Sequence, residues 1–323
     1  MKVAVIAGGP SSEAEVSRIS AAAVAGALTQ AGHQVERFEL DATLAQALLA
    51  FAPEVVFPVC HGAVGEDGSL QGLLEVLALP YVGSAVLASA LAMDKPTAKQ
   101  VFAAAGLPLA RGVAVRSTDE AEAVVNALGR SLVVKPAAGG SALGVTRLSL
   151  EAGSSTQPLR TALNEALASG PYALVEELVV GDEVTCGVLE REGAARALPP
   201  TRIEALGASF YDFHSRYAKG KSAHTCPAPY PSALLERIGA IALAAHRALG
   251  CRDLSRSDFV VVPAEERVVL LETNTMPGFT ATSLFPEAAQ VAGYDFMTLC
   301  DGFVRAAAHR GRPRRSPAAA FPT

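Results

Sequence analysis

The chain of 323 residues is half hydrophobic and carries a formal net charge of -5, with a pI near 5.7. That length accommodates two or three domains with sizeable cores, and the acidic balance, with no basic patch interleaved with aromatics, excludes a broad nucleic-acid surface. Five widely separated cysteines, Cys60, Cys186, Cys226, Cys251 and Cys300, make no CxxC or Cys/His ligand spacing and predict reduced thiols in a cytoplasmic protein.

From the N-terminus, Lys2 to Ala7 reads as a buried parallel strand, Gly8-Gly9-Pro10-Ser11 as a tight turn and Glu13 to Leu28 as an Ala-rich helix. The apolar run after Met1 is too short for a signal peptide. Ser12 and Glu15 have the spacing of a capping box. Glu13 has two readings, a first-turn carboxylate favoured by the helix dipole or a ligand for a substrate ammonium at the carboxyl end of a parallel strand. Strands at Val35 to Leu40 and Glu54 to Cys60, with helices at Thr43 to Phe51 and Ser69 to Leu77, complete a small doubly wound domain over residues 1–88. His61 opens a glycine-containing loop after the third strand and is either a ligand contact or a loop histidine satisfied by its neighbours. Val76 to Met93 is uncharged, but Pro80, Gly83, Ser84 and Ser89 interrupt it, so it reads as helix end, strand and helix start and no membrane span is expected.

Asp94-Lys95 opens a helix to about Ala105, followed by Val113 to Val115 (strand), Ala121 to Leu128 (helix) and Ser131 to Val134 (strand). This strand runs into Lys135 and the loop Gly139-Gly140-Ser141-Ala142-Leu143-Gly144, a cation followed by exposed backbone N–H groups, which is what phosphate oxygens require. It is neither a Walker A loop nor a GxGxxG turn opening a helix, because Val145-Thr-Arg-Leu continues as strand, and a dehydrogenase reading of the first βα unit fails for the same want of GxGxxG. A helix at Ser155 to Ser169 and a strand from Tyr172 lead to Glu176, and antiparallel strands are expected at Val184 to Leu189 and Arg196 to Ile203. Ala208 to Tyr230 has no sustained period and reads as a functional loop or lid. Leu234 to Leu249 and Tyr294 to Ala308 are helices, and Arg310 to Arg315 belong to a basic, disordered tail over residues 309–323.

Arg256-Ser-Asp258-Phe-Val-Val and Val268-Val-Leu-Leu-Glu272-Thr-Asn274 flank a short polar break and read as paired strands, so Arg256 and Asp258 share one face, as do Glu272 and Asn274. Oxygen ligands grouped beside buried Val and Leu fit a hard divalent cation with nucleotide phosphates. An edge ion pair of Arg256 with Asp258 or Glu272 explains the same spacing, and the two readings stay open at this point.

Taken together, Gly8-Gly-Pro-Ser-Ser-Glu13, His61-Gly-Ala-Val-Gly-Glu-Asp-Gly, Met93-Asp-Lys95, Phe210-Tyr-Asp-Phe-His-Ser-Arg-Tyr217, Arg256-Ser-Asp258 and Glu272-Thr-Asn274-Thr-Met-Pro-Gly278 resemble the D-alanine:D-alanine ligases of the ATP-grasp superfamily, over nearly the whole chain to about Ala308. The resemblance implies an α/β and α+β multidomain fold: an N-terminal doubly wound (pre-ATP-grasp) domain at 1–88, then a two-part ATP-grasp fold at 89–175 and 176–308. It implies ATP-dependent ligation of two D-alanines through a D-alanyl phosphate for cell-wall precursor synthesis, in a cytoplasmic homodimer. Lys95, Lys135 and Arg216 would serve ATP; Glu176, Val179 and Glu183 would read adenine and ribose, with Phe210 against the base. Asp258, Glu272 and Asn274 would bind two Mg²⁺ ions, or Mn²⁺. Arg256 and the Gly278 N–H would form the oxyanion site. Glu13, with Ser141 and Tyr217 linked to it, would take the first D-alanine, His61 would assist, and Ser283 and the Leu284 N–H would hold the second. Departures are the phosphate loop, which lacks an Arg-Glu pair and a second serine found in many members; Arg216, where lysine is usual; and Glu177, where some members have lysine. A ligase for another small pair, such as D-Ala with D-Ser, and a non-catalytic nucleotide-binding regulator are the alternatives.

Overall fold

The computed structural model describes residues 1–140, 143–205, 222–280 and 283–311. Three sheets organise them. The first is parallel, in the order β2-β1-β3, from β1 (Lys2–Ala7), β2 (Gln34–Glu39) and β3 (Val55–Pro58), with α1 (Ala14–Gln30), α2 (Leu44–Phe51) and α3 (Ser69–Val76) around it. The apolar run Val3 to Ile6 is fully buried, as expected of a parallel strand covered on both faces. In the uncharged stretch after α3, Tyr81 makes a single parallel bridge to Val56 before α4 (Val86–Met93), and among the described residues no helix is long and apolar enough to cross a membrane.

The capping box expected at α1 is not formed. Glu13 occupies the cap position without a side-chain bond to the helix, the Ser11 hydroxyl accepts the Glu13 N–H at 3.1 Å, and Glu15 pairs instead with Arg18 at 3.1 Å. The entry is fixed from elsewhere: Ser17 Oγ accepts the Gly8 N–H (2.9 Å) and donates to the Val59 carbonyl (2.8 Å), tying the glycine turn to the end of β3.

The second sheet is antiparallel, in the order β4-β7-β5-β6, from β4 (Gly112–Val115), β5 (Ser131–Pro136), β6 (Thr146–Ser149) and β7 (Ala173–Glu177). Helices α6 (Ala121–Leu128) and α7 (Gln157–Leu167) cover it, and α5 (Lys95–Ala104) precedes it. The third sheet has the order β11-β10-β8-β12-β13, from β8 (Asp182–Arg191), β10 (Thr201–Ala205), β11 (Ser222–Thr225), β12 (Leu254–Val262) and β13 (Arg267–Asn274), with β9 (Ala194–Ala197) also on β8. The single strand expected at Arg196 to Ile203 is therefore two, parted at Pro199-Pro200, where two consecutive residues have no N–H for a ladder. Part of the expected 208–230 loop is also regular, since Ser222–Thr225 pairs with β10.

Helix α8 (Ser232–Leu249) lays Leu234, Ile238, Ile241, Ala245 and Leu249 against this sheet. The chain ends in α9 (Leu284–Val291) and α10 (Phe296–Arg310). Helix α10 crosses back to the first sheet: Leu299, Phe303 and Val304 share one core with Val3, Val5, Leu28 and Phe57, and the Phe57 and Phe303 rings meet edge-on at 6.3 Å. The tail expected from 309 starts later than that. His309 and Arg310 belong to α10, and Arg310 grips buried Asp253 through both oxygens at 2.8 Å and the Tyr81 carbonyl at 2.9 Å. Residues 312–323 of the expected tail lie outside the described residues, and the breaks expected after 88 and 175 fall inside α4 and β7.

Candidate active site

A cavity of about 860 Å³ opens between the second and third sheets. Lys95, Lys135, Glu176, Val179, Glu183 and Glu272 all line it, and Val133, Leu178, Val260 and Leu271 give it apolar walls. The side chains arrive from different elements. Lys135 ends β5, and Glu176, opposite Val133 on β7, shares its face of the sheet. Gly112 on β4 also stands opposite Glu176, where a Cβ would come within 2.9 Å of the Glu176 Cγ.

Three lysines order the phosphate-like end. Asp94 caps α5 by accepting the Thr97 N–H at 2.9 Å, and Lys95 follows it. The Lys95 N–H donates to the Ala137 carbonyl (2.8 Å) and its ammonium to the Gly139 carbonyl (2.5 Å), so the glycine loop is tied to the start of α5; Glu272 lies 3.6 Å from the same ammonium. Lys135 lies 2.6 Å from one Glu176 oxygen and Lys99 2.7 Å from the other, and Lys99 also donates to the Leu270 carbonyl at 2.9 Å. Burial alone would raise the Glu176 carboxyl, but the charges of Lys135 and Lys99 outweigh it and bring it to about 2. Across the mouth, Arg147 of β6 reaches Glu183 of β8 at 2.8 Å. Glu177 turns to Arg111 (2.9 Å) and Arg267 (3.2 Å), which accounts for a carboxylate at that position.

On the paired strands, Arg256 stands opposite Asn274 and Asp258 opposite Glu272. Of the two readings of this face, the ion pair is formed: Arg256 Nε and Nη2 each lie 2.8 Å from Asp258, which also accepts Thr185 Oγ1 at 2.7 Å and Asn274 Nδ2 at 3.3 Å. The oxygen donors remain grouped around it. Among the described residues no set of three or more His, Cys, Asp or Glu side chains is placed to hold a metal; Asp258, Glu272 and Asn274 stand at neighbouring register positions of the paired strands.

At the far end Glu13 is buried against two close-approaching glycines, with its carboxylate 3.3 Å from where a Gly62 Cβ would stand and 2.9 Å from a Gly140 Cβ. His61 is buried with no hydrogen-bond partner for Nε2; burial holds its imidazole below the usual range against the pull of Glu13, so it is neutral. Half-buried Glu66 accepts the Gly62 N–H at 2.7 Å, and burial, reinforced by Glu13, pushes its carboxyl up to about 8. Ser283 Oγ accepts the Thr280 N–H at 3.0 Å and lies 3.3 Å from where a Gly278 Cβ would stand; Leu284 begins α9 beside it. His224 of β11 is bound to Glu287 in the first turn of that helix at 2.9 Å. Ser141, Phe210, Arg216 and Tyr217 lie outside the described residues.

Sequence reasoning missed Lys99 and Glu66. Lys99 follows Lys95 by four residues and so shares its helix face, a signal that could have found it. Glu66 stands in the quoted His61 loop, but nothing in the spacing distinguishes it from Asp67, which caps the local turn by accepting the Val64 and Ser69 N–H groups.

The family described as "D-ala D-ala ligase C-terminus" matches residues 101–305 and that described as "D-ala D-ala ligase N-terminus" matches residues 42–84. The D-alanine--D-alanine ligase of Acidiphilium cryptum is 46% identical over 311 residues, covering 96% of this chain and 99% of that one. Among solved structures, the D-alanine--D-alanine ligase of Bacillus anthracis complexed with ATP superposes with a TM-score of 0.79 at 27% identity, covering 96% of this chain and 98% of that one. The VanG D-Ala:D-Ser ligase of Enterococcus faecalis gives 0.79 at 29% identity, covering 95% and 99%.

Proposed function

This chain belongs to the D-alanine–D-alanine ligase family, and from that premise we propose how its residues divide the work. It is an ATP-dependent ligase that joins two D-alanines for peptidoglycan precursor synthesis. The observation that carries the division of roles is the single cavity between the second and third sheets, which gathers Lys95, Lys135, Glu176, Val179, Glu183 and Glu272.

In this reading Lys95, Lys135 and the glycine loop hold the nucleotide phosphates, while Glu176, Val179 and Glu183 face the base and ribose, with Phe210 and Arg216 joining from the 206–221 segment. Glu183 exchanges its bond to Arg147 for the ribose hydroxyls. Asp258, Glu272 and Asn274 hold two Mg²⁺ ions, or Mn²⁺; two carboxylates and an amide at adjacent register positions supply the hard oxygen donors these ions take. When bound, the ions neutralise charge on the phosphates.

Glu13 takes the ammonium of the first D-alanine, with Ser141 and Tyr217 completing that end and neutral His61 beside it. A carboxylate is a poor electrophile, and its phosphorylation to D-alanyl phosphate gives it a leaving group before the second amine attacks. Arg256, oriented by its two bonds to Asp258, and the Gly278 N–H stabilise the tetrahedral oxyanion, and Ser283 with the Leu284 N–H hold the carboxylate of the second D-alanine. The chain works as three units, residues 1–88, 89–175 and 176–308, with one of the three sheets lying mainly in each, in a cytoplasmic homodimer assembled through the first unit. Five free cysteines support a reducing compartment, and the exposed edge strand β2 leaves the first sheet a surface for a second copy.

The test is phosphate release from ATP and Mg²⁺ with D- and L-amino acids, singly and in pairs, with mass spectrometry of the product. D-alanine-dependent turnover to D-Ala-D-Ala, reduced about 10²-fold or more in folded Arg256→Ala, is expected from loss of an oxyanion donor. Turnover only with D-alanine plus D-serine would move the second substrate, and ATP binding without turnover on any pair would sink the enzyme.

A further inference from the structure

Among the described residues around the nucleotide cavity, one buried carboxylate is shared by two lysines. Arg147 matches Glu183 and Lys95 matches Glu272, while Glu177 is taken by Arg111 and Arg267. That leaves Glu176, a single carboxylate, between two lysines: Lys135 at 2.6 Å on the cavity side and Lys99 at 2.7 Å behind it.

Lys99 cannot itself serve the cavity. Its side chain is 11% exposed, it rises from α5 with its ammonium bound to the Leu270 carbonyl of β13, and it does not line the cavity that Lys95 and Lys135 line. Without it, Glu176 would neutralise Lys135 and hold it at the sheet. A polyphosphate would then have to break a buried ion pair to recruit that lysine.

On the reading of the cavity as a nucleotide site, we infer that Lys99 is a positioning residue whose role is to be the permanent counterion of Glu176, so that Lys135 is released to the nucleotide phosphates while Glu176 stays charged and able to accept from the base. Two independent features support it. The Leu270 carbonyl and Glu176 anchor the Lys99 ammonium from two different sheets, so it cannot follow a ligand. Burial lowers the Lys99 ammonium below its ordinary range with the Glu176 carboxylate opposing it, while Lys99 in turn helps hold Glu176 ionised.

The test compares ADP with adenosine in magnesium buffer, by calorimetric titration of the full chain as wild type, Lys99→Met, Glu176→Gln and the double variant. Lys99→Met should weaken ADP about tenfold relative to adenosine, as expected for one charge acting from behind Glu176 at on the order of 10 Å and an effective dielectric near 20. Glu176→Gln should shift the same ratio the other way, and the double variant should return it to near the wild-type value. A general loss of packing weakens both ligands alike, so equal losses for ADP and adenosine in Lys99→Met overturn the inference. So does a double variant no better than Lys99→Met. If Lys99→Met does not fold, Glu176→Gln carries the test alone, and an unchanged ADP-to-adenosine ratio overturns the inference. Failure of the wild-type chain to bind ADP is a different outcome, and it overturns the nucleotide reading itself.

Discussion

Glu66 and Glu176 show how one residue type takes two protonation states within one site. Glu176, between two lysines, is held at about 2, whereas Glu66, buried near Glu13, is pushed up to about 8. Unfolded, both titrate near about 4.3. Because the folded chain keeps the Glu66 proton that the unfolded chain loses, Glu66 contributes stability below about pH 4.5 that is lost as pH rises towards about 8. Glu176 does the opposite, contributing above about pH 4.5 and losing that contribution as pH falls towards about 2. Glu66→Gln should therefore gain stability relative to wild type between about pH 5 and pH 9, read as the difference in urea midpoint at each pH. A difference that stays flat over that range would mean that the native chain carries Glu66 ionised. At the substrate end, Gly140→Ala places a methyl 2.9 Å from the Glu13 carboxylate, and it should raise KM for D-alanine by about tenfold, read from initial rates at saturating ATP.

Among the elements, the start of α5 concentrates the most function in the fewest bonds. Asp94 caps the helix and also accepts the Tyr172 hydroxyl, so one carboxylate fixes Lys95, and through Lys95 the Gly139 carbonyl of the phosphate loop. Asp94→Ala should cost about 1 kcal/mol, the usual worth of a cap, and raise KM for ATP, whereas Asp94→Asn should keep the cap and most of the stability; thermal melts and initial rates separate the two. Much of this was legible beforehand. Period-two alternation placed Arg256, Asp258, Glu272 and Asn274 on paired strands, and Lys135 before a glycine-rich turn announced the loop. What spacing could not decide was partnership. Arg256 had Asp258 and Glu272 within equal reach on paper, and the Asp258 carboxylate that it takes is also held by Thr185 of β8, a partner that lies 73 positions away in sequence. The Ser12 and Glu15 spacing matched a cap that tertiary bonds from Ser11 and Ser17 displaced, and the proline pair at 199–200 was a visible strand break left unused.

Across the whole molecule, the clasp around Asp253 joins three parts of the chain. Asp253, at a left-handed φ of 63°, accepts the Gly83 N–H at 2.8 Å from the segment after the Tyr81 bridge and Arg310 from the last helix, directly before β12 and its Arg256. Arg310→Ala strands a buried carboxylate and should cost about 3 kcal/mol or more, with denaturation followed by intrinsic tyrosine fluorescence as the readout; equal stability would show the clasp to be dispensable. Phe303→Ala should cost about 3–5 kcal/mol for the same reason of place, since its ring meets Phe57, Phe279 and Phe285 where the first sheet and the C-terminal helices share a core.

That shared core also sets the order in which the chain can be assembled. His33 reaches Asp301 at 2.7 Å across 268 positions of sequence, and α1 covers only part of the face of Val3, Val5 and Phe57, the rest waiting for Phe279, Phe285 and α10. On the ribosome, the first strands to emerge are thus among the last to be sealed. High contact order of this kind makes folding slow and leaves an apolar sheet face waiting in the nascent chain, so a chain released before α10 is made exposes the surface that self-associates.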